Sequence, residues 1–404
     1  MSKVNIVLVN GHWSNHGDEA AIIAIIKEVI NNKPDANISL IIKDKKEINN
    51  NLVVMNHPIE CISNQFLPQI VDYFFQLFSN GTVGKNSAMK KLIALLKNAD
   101  FIIYAPGGAV INDRFWWRKQ MEYLLPLLYA KMYRTPLYVA SPSIGPFEKR
   151  YFVRNLIRRS IFKNIKFFFV REQMSYEFLK TIRAEKNVMV TVDSAFCSDI
   201  DSNLEEKTLN SDESLVSFMN KYSKLVGVTI TELDWNVKYK NKDMKQLIYN
   251  AMNGFLEFLN EQKIGIVFIP QLFGNQDDSI LLSKYKRENT FILNKEYSAD
   301  FQQYLISRLN MVVGMRYHSN IFSAKMGVPF LPIIYEEKME SFIKEAGLER
   351  YAINVDNIST DMLCRQFTLI LQEYDVYKEK LKINKKIWEA RAQITKESVR
   401  EFLK

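Results

Sequence analysis

The sequence predicts an α/β fold made of two doubly wound domains in tandem. Its 404 residues are too many for one ordinary hydrophobic core. Short apolar runs alternate with helical patterns in two series, and a polar stretch separates the series. Buried strands that alternate with helices form parallel sheets covered by helices on both faces. Such sheets bind ligands beyond the carboxyl ends of their strands, so two in tandem predict domains that face a cleft.

The first series predicts an N-terminal Rossmann-like domain over residues 1–200. A glycine-bearing turn follows its first strand, and a helical pattern then runs from about Asp18 to Ile30. The apolar runs are short and are bounded by turn residues, as buried strands are. The predicted strands are residues 4–10, 38–43, 101–105, 136–141, 165–172 and 188–193.

Residues 201–223 predict a linker, because they are acidic, rich in serine and asparagine, and show no apolar period. A C-terminal Rossmann-like domain is predicted over residues 224–370. Residues 371–404 predict a helical segment, since they contain many lysines and glutamates and no proline or glycine. The predicted strands of the second domain are residues 225–230, 264–270, 290–293, 311–315 and 329–334.

The composition favours anionic ligands in a reducing compartment. Lysine and arginine number 54 against 45 acids, which gives a formal net charge of +9. Nucleic acid is not expected, because the basic residues are scattered along the chain. Three distant cysteines and the lack of a secretory leader pattern predict a cytoplasmic protein. The aromatic stretch FLPQIVDYFFQLF at residues 66–78 fits a lipid contact, but a helix packed in a core is the favoured reading.

Three glycine-bearing turns follow strands at the same end of the first predicted sheet. They are GHWSNHGDEAA at residues 11–21, PGGAVIND at 106–113 and SIGPF at 143–147. Glycine lets the backbone approach a ligand closely, and a helix start favours an anion. A helix cap explains most of the first turn when it is taken alone, but the shared position of all three predicts a lined cleft. The candidate binding residues in these turns are Asn15, Gly17, Asp18, Gly107, Gly108, Asp113, Ser143 and Gly145.

The segment GMRYH at residues 314–318 is the main candidate in the second domain. Arg316 supplies a planar guanidinium suited to phosphate or carboxylate, and His318 can transfer a proton near neutral pH. Residues two apart on an extended segment share a face, so both could address one ligand. The alternative is a structural histidine at a strand end. Asp277 and Asp278, at a predicted helix start, fit stabilisation of the helix dipole as well as a binding role.

These segments, with VRE, DSAF, PQ…DD and PIIYEEK in the same order and at the same separations, resemble the polysaccharide pyruvyltransferase family. The resemblance runs from about Asn5 to Lys344 and implies a two-domain, GT-B-like architecture. Members of the family transfer a pyruvyl group from phosphoenolpyruvate to a sugar of a bacterial surface or capsular polysaccharide. The product is a cyclic ketal, and phosphate is released.

By resemblance, the arginine and histidine of the family's R-x-H segment fall on Arg316 and His318, which are expected to be catalytic. Arg316 would hold the anions of the donor, and His318 would act as general acid. Asp18 or Asp113 would accept a hydroxyl proton or bind the sugar. Other roles remain open for some of the other candidates: an ion pair with Glu172 for Arg171, a turn former for Asp193 and a solvated side chain for Lys338. Those further substrate-binding candidates are Arg171, Asp193, Gln271 and Lys338.

The implied scheme places the acceptor on the N-terminal domain and the donor on the C-terminal domain. It needs no metal and no cofactor, since phosphoenolpyruvate is the donor substrate. A lipid-linked acceptor would bring the protein to the inner face of the membrane as a peripheral protein. Two other functions compete with this one: a GT-B glycosyltransferase that uses a nucleotide sugar, and a non-catalytic subunit of a polysaccharide assembly complex.

Overall fold

A computed structural model describes residues 3–42, 52–63, 87–107, 111–114, 117–163, 165–234, 236, 238–239, 243–274 and 277–404. Gly108 and the aromatic stretch at residues 66–78 lie outside these ranges. The chain divides into two compact α/β units, which confirms the predicted fold class. The first unit comprises Met1–Trp13, Asp18–Ser198 and Ala390–Lys404, and the second comprises Ser14–Gly17 and Asp199–Glu389.

The first unit is built on one sheet. Its described strands are β1 (Asn5–Gly11), β2 (Asn37–Ile42), β3 (Leu52–Val54), β4 (His57–Ser63), β5 (Phe101–Tyr104), β6 (Leu137–Val139), β7 (Phe167–Val170) and β8 (Val188–Val190). They lie in the order β3-β4-β2-β1-β5-β6-β7-β8. The chain order reverses between β1 and β5, so the carboxyl ends of these two strands flank the usual ligand-binding position of a doubly wound sheet.

Two of these strands, β3 and β4, were not predicted as strands. They form an antiparallel hairpin at the edge of an otherwise parallel sheet. The two residues that connect them, Met55 and Asn56, have φ angles of 51° and 61°. Positive φ at both central residues is the geometry of a type I′ turn, whose twist matches that of paired strands.

Helices cover this sheet, and the end of the C-terminal helix joins them. The described helices are α1 (His16–Asn32), α2 (Ser87–Lys97), α3 (Trp117–Tyr133), α4 (Phe152–Phe162) and α5 (Gln173–Thr181). The ring of Phe402 lies 5.2 Å from that of Phe101 and 5.4 Å from those of Tyr138 and Phe167. Tyr138 also shares a hydrogen bond of 2.7 Å with Ser398. The last residues of the chain therefore complete the core of the first unit.

The second unit has an all-parallel sheet among its described residues. Its strands are β9 (Leu225–Thr229), β10 (Gly265–Phe268), β11 (Thr290–Ile292), β12 (Met311–Gly314), β13 (Phe330–Ile334) and β14 (Ile353–Asn354). They lie in the order β11-β10-β9-β12-β13-β14, and the chain order reverses between β9 and β12. The carboxyl ends of β9 and β12 therefore flank the ligand-binding position of this sheet.

The region expected to be a linker is helical and belongs to the second unit. The helices here are α6 (Ser202–Ser211), α7 (Glu213–Lys221), α8 (Met244–Glu261), α9 (Asp278–Ser283), α10 (Ala299–Ser307), α11 (Tyr317–Met326), α12 (Glu337–Glu345), α13 (Thr360–Gln372) and α14 (Tyr374–Phe402). Asp201 caps α6 and Asp212 caps α7 through backbone N–H groups. The acidic and serine-rich composition that suggested a linker thus reflects helix caps on two short surface helices.

Within the second unit, the long helix α14 packs on the end of the sheet. The Tyr377 hydroxyl donates to the carbonyl of Phe330 at 2.6 Å, and the Trp388 ring lies 5.5 Å from that of Phe342. Among the described residues, no helix is both long enough and apolar enough to cross a membrane.

We expect Phe402→Ala to lower the free energy of unfolding of the first unit by about 3–5 kcal/mol, the usual cost of removing a buried aromatic ring. Ile394→Ala is the matched control, because Ile394 lies on the same helix but is exposed, and it should cost less than about 1 kcal/mol. Urea denaturation followed by circular dichroism measures both. Equal midpoints for the two variants would contradict the assignment of Phe402 to the core.

Candidate active site

The turn between β12 and α11 lies where the chain order of the second sheet reverses, which is the switch point of that sheet. Hydrogen bonds to Thr229 fix this turn. The Thr229 hydroxyl oxygen accepts hydrogen bonds from the backbone N–H groups of Met315 at 3.0 Å and Arg316 at 3.1 Å. It also shares a hydrogen bond of 2.9 Å with the hydroxyl of Ser319. These contacts tie the end of β9 to the first turn of α11, so the backbone that carries Arg316 is held in place.

Gly314 is required for the close approach of α11 to the end of β12. A Cβ atom at this position would lie 1.9 Å from Oδ1 of Asn320. The Asn320 amide donates to the Gly314 carbonyl at 3.1 Å, and the contact is fully buried. The glycine of the GMRYH segment therefore allows the helix start to pack directly on the strand end.

Asp278, the first residue of α9, positions the guanidinium of Arg316. Its carboxylate accepts Nε of Arg316 at 3.2 Å on Oδ2 and Nη2 on Oδ1. The same Oδ2 accepts the backbone N–H groups of Gln271 and Leu272, each at 3.0 Å. Burial alone would lower the pKa of Arg316, but Asp278 raises it, so the guanidinium stays charged. Asp278 therefore fixes the plane of the Arg316 guanidinium through Nε and Nη2. The third nitrogen, Nη1, takes no part in the contact with Asp278.

Tyr335, which follows β13, contacts Arg316, and Lys338 lies against Tyr317. Tyr335 accepts a hydrogen bond from Arg316, and burial raises the pKa of its phenol, which stays protonated at neutral pH. The Lys338 ammonium lies 2.8 Å from Oε2 of Glu336 and 5.3 Å from the ring centre of Tyr317. We call the cluster of Thr229, Asp278, Arg316, His318, Tyr335 and Lys338 the Arg316 site.

His318 occupies the first turn of α11 and packs against Gly17. A Cβ atom on Gly17 would lie 1.9 Å from both Cγ and Nδ1 of the His318 ring. The ring of His318 also lies 5.0 Å from that of Tyr317 and 6.2 Å from that of Phe322. His318 is therefore a buried, tightly packed imidazole at the edge of the Arg316 site, where only glycine fits opposite it.

The short segment Ser14–Gly17 belongs to the second unit through hydrogen bonds to its backbone. The His16 N–H donates to the Gln271 carbonyl at 3.0 Å, and His16 Nε2 lies 3.0 Å from the Lys295 carbonyl oxygen. The Asn15 side chain accepts the Gly17 N–H at 2.8 Å, which caps the first turn of α1. Asn15 and Gly17 therefore shape the backbone that faces His318.

Gln271, predicted as a substrate-binding residue, has its side chain in the protein interior. Its side-chain amide donates to Oε1 of Gln302 at 2.6 Å, and Gln302 in turn donates to the Pro270 carbonyl at 2.9 Å. The residue is 1% exposed. Its visible role is to hold the loop after β10 that also contacts Asp278 and His16.

In the first unit, Asp113 is engaged in a buried ion pair with Arg158. Its Oδ1 lies 2.6 Å from Nη2 of Arg158, and its Oδ2 accepts the N–H of Glu148 at 2.6 Å. Both charged side chains are almost completely excluded from solvent. Asp113 is thus held by this buried ion pair, and the sugar-binding or basic role that the sequence suggested stays a prediction.

Arg171, Ser143 and Asp193 come together in a second buried network of the first unit. Nη1 of Arg171 donates to Asp193 at 2.7 Å, and Nε donates to the Ser143 hydroxyl at 2.6 Å and to Glu172 at 3.2 Å. Burial raises the pKa of Glu172, although Arg171 and the hydroxyls of Ser175 and Ser143 oppose the shift. Arg171 is 1% exposed on its side chain, so these contacts leave it little surface for a ligand.

The remaining predicted positions of the first unit lie at turns. Asp18 is in the first turn of α1, where an acid is favoured by the helix dipole, and it is buried. A Cβ on Gly107 would lie 3.0 Å from Nδ2 of Asn10, so the backbone passes close to that side chain. Gly145 has a φ of 88°, which favours glycine, and a Cβ there would meet the ring of Phe178 at 2.4 Å.

The family assignment follows from comparison with known proteins. Residues 15–337 match the family described as polysaccharide pyruvyl transferase. The chain belongs to this family. It is therefore a transferase of polysaccharide biosynthesis, and the stretch that matches includes Asn15, Gly17, Arg316 and His318. The match ends one residue before Lys338.

The chain is also similar to a protein of amylovoran biosynthesis. This polysaccharide pyruvyl transferase is 23% identical to the amylovoran biosynthesis protein AmsJ of Erwinia amylovora over 405 residues. The aligned region covers 92% of this chain and 93% of that protein.

Solved structures with a similar fold are GT-B enzymes. The UDP-GlcNAc 2-epimerase of Neisseria meningitidis, bound to UDP-GlcNAc, has a TM-score of 0.56 at 12% identity and covers 99% of this chain and 100% of its own. HepE of Anabaena, in complex with UDP, has a TM-score of 0.56 at 12% identity and covers 99% of each chain. At such low identity the likeness concerns the fold alone, and it confirms the GT-B-like architecture.

Sequence reasoning missed the partners that hold Arg316. Thr229 carried no signal as a functional residue, because its partners Met315 and Ser319 lie 86 and 90 residues away in the chain. Tyr335 lies in the PIIYEEK segment of the resemblance, which gives no sign of its contact with Arg316. Asp278 was noticed only as an acid at a helix start, although its position after the PQ segment could have suggested a contact to the GMRYH turn. Among the described residues, no group of three or more His, Cys, Asp or Glu side chains is arranged to hold a metal ion.

We expect Asp113→Ala to destabilise the first unit by about 3–5 kcal/mol, because it leaves the buried charge of Arg158 without its carboxylate. Glu177→Ala is the control, since Glu177 pairs with Lys180 on the surface and should change the free energy of unfolding by less than about 1 kcal/mol. Thermal and urea unfolding measure both variants. An Asp113→Ala protein with unchanged stability and reduced turnover would contradict this expectation and support a role for Asp113 in the reaction.

Proposed function

We propose that this transferase moves the pyruvyl group of phosphoenolpyruvate onto a sugar of a bacterial surface or capsular polysaccharide precursor. The product would be a cyclic ketal, with release of phosphate. The observation that carries the proposal is an oriented guanidinium, Arg316, at the N-cap of α11, two residues before a buried imidazole, His318, at the switch point of the second sheet. The family assignment supports pyruvyl transfer as the reaction that uses them.

The donor would bind at the Arg316 site through its two anionic groups. Asp278 fixes the plane of the Arg316 guanidinium, so a carboxylate or phosphate would meet a pre-oriented donor. The amino end of α11 adds backbone N–H groups and a positive dipole end, and Arg316 at its N-cap makes no side-chain cap there. Lys338 supplies a second cation beside Tyr317.

The chemistry needs one acid and two hydroxyl groups. We assign to His318 the role of general acid. It donates a proton to the methylene of phosphoenolpyruvate, which becomes a methyl group, and the enol carbon becomes electrophilic. One sugar hydroxyl bonds to that carbon and gives up its proton, which restores the acid. The second hydroxyl then forms the other C–O bond as phosphate departs, and its proton leaves with the phosphate. Both oxygens of the ketal thus come from the sugar.

The acceptor is the less defined substrate. We assign sugar contacts to the turns after β1 and β5, where Asp18 and Gly107 lie at the switch point of the first sheet. Asp113, Ser143, Arg171 and Asp193 are excluded from this assignment because each is already engaged inside the first unit.

We expect Arg316→Ala to weaken phosphoenolpyruvate binding about 10- to 100-fold, as the loss of charged hydrogen bonds would. Arg287→Ala is the matched control, because Arg287 forms a surface ion pair with Glu257 in the same unit and should leave binding unchanged. The shift of the melting temperature with ligand concentration measures both. A wild-type protein stabilised by nucleotide sugars but not by phosphoenolpyruvate would replace the proposal with the glycosyltransferase function.

We expect His318→Gln to lower kcat about 10²- to 10⁴-fold while phosphoenolpyruvate still binds, because glutamine keeps polar contacts but donates no proton. Phosphate release and the appearance of a ketal methyl signal in proton NMR, with a panel of sugar acceptors, report turnover. Turnover equal to wild type would remove His318 from the mechanism. A lowered melting temperature with unchanged kcat would identify it as a structural histidine.

A further inference from the structure

Helix α4 of the first unit turns an apolar face toward solvent. Phe152 is 67% exposed, Val153 68%, Leu156 45% and Ile157 37%. These positions are spaced i, i+1, i+4 and i+5, so they lie together along one side of the helix. We call these four residues the α4 face. A surface helix of a soluble domain normally directs its polar side outward, so this arrangement is inverted.

The orientation of α4 is fixed from its opposite side. Arg158 is completely buried and forms the ion pair with Asp113, and its guanidinium lies 4.5 Å from the ring centre of Phe147. Ile161 and Phe162 are buried beside it. Rotating the helix to hide the α4 face would expose these groups and break the ion pair. The apolar face is therefore a stable feature of the folded unit.

Cations dominate the segment that carries the α4 face. Between residues 148 and 166 the only acid is Glu148, which pairs with Arg150, whereas six basic residues besides Arg158 are exposed or half-buried. Lys149 and Lys163 are exposed at the two ends of the helix, and Arg154 lies 4.1 Å over the ring of Tyr151. The six basic residues are Lys149, Arg150, Arg154, Arg159, Lys163 and Lys166.

We propose that the α4 face and its surrounding cations dock this protein on an anionic lipid surface. Exposed phenylalanine and aliphatic side chains insert into the boundary between headgroups and acyl chains, and lysine and arginine contact the anionic headgroups. A second copy of the chain is disfavoured as the occupant, because a two-fold interface would bring the same cations together. The docking does not depend on which pyruvyl donor or acceptor the enzyme uses.

The test is co-sedimentation of the full chain with vesicles of an equal mixture of phosphatidylglycerol and phosphatidylcholine. We expect wild-type protein to bind these vesicles, to bind pure phosphatidylcholine weakly, and to be released by salt. Phe152→Ser with Leu156→Ser should weaken binding about tenfold or more, since two inserting side chains are lost. Circular dichroism melting verifies that the variant folds, as both residues are exposed.

Two matched controls separate this face from general properties of the surface. Ile383→Ser with Ile387→Ser removes two apolar residues at the same i, i+4 spacing on α14, where they are 55% and 46% exposed. Lys149→Glu with Lys163→Glu is compared with Lys207→Glu and Lys286→Glu, which change the net charge equally at exposed sites elsewhere.

We expect only the α4 variants to lose vesicle binding. Wild-type protein that ignores anionic vesicles, or α4 variants that bind as well as wild type, would overturn the proposal. So would a wild-type dimer in solution that becomes a monomer in the Phe152→Ser, Leu156→Ser variant, because the face would then bind a second copy of the chain.

Discussion

The Arg316 site depends on the buried ion pair between the Asp278 carboxylate and the Arg316 guanidinium. The carboxylate joins the loop after β10, through two backbone N–H groups, to the turn after β12, through the guanidinium of Arg316. The Gln271 carbonyl in that loop also accepts the N–H of His16, next to the glycine that faces His318. One acid at the start of a short helix thus sets the positions of two loops and of the segment that covers the histidine.

The ion pairs lower the net positive charge of the Arg316 site and fix the orientation of its guanidinium. Asp278 neutralises much of the field of Arg316, and Glu336 does the same for Lys338, so the site is less cationic than its basic residues suggest. The two charges of the buried pair lose their hydration when the protein folds. The guanidinium therefore needs no reorganisation when a ligand binds. The site should then discriminate among anions by how well they fit the fixed side chains of Arg316 and Lys338, more than by their total charge.

The sequence predicted the fold class and the GMRYH turn because both depend on local patterns. Apolar periodicity located most of the strands, and an arginine and a histidine at a strand end need no partner to be noticed. The buried contacts of Asp113 and Gln271 could not be predicted in this way, since their partners lie 45 and 31 residues away in the chain. The composition of residues 201–223 is ambiguous, because the acidic side chains that favour a loop also cap helices, as Asp201 and Asp212 do here.

Neither compact unit is a continuous piece of the chain, and this affects how the protein folds. The first unit takes in Ala390–Lys404, and the second takes in Ser14–Gly17. The Phe402 ring packs on Phe101 in the core of the first unit, and most of the second unit lies between these two residues in the chain. Contacts between such distant parts of a chain close slowly. The first unit should therefore complete its core late in folding, and a fragment that stops at Ser198 should lack part of that core.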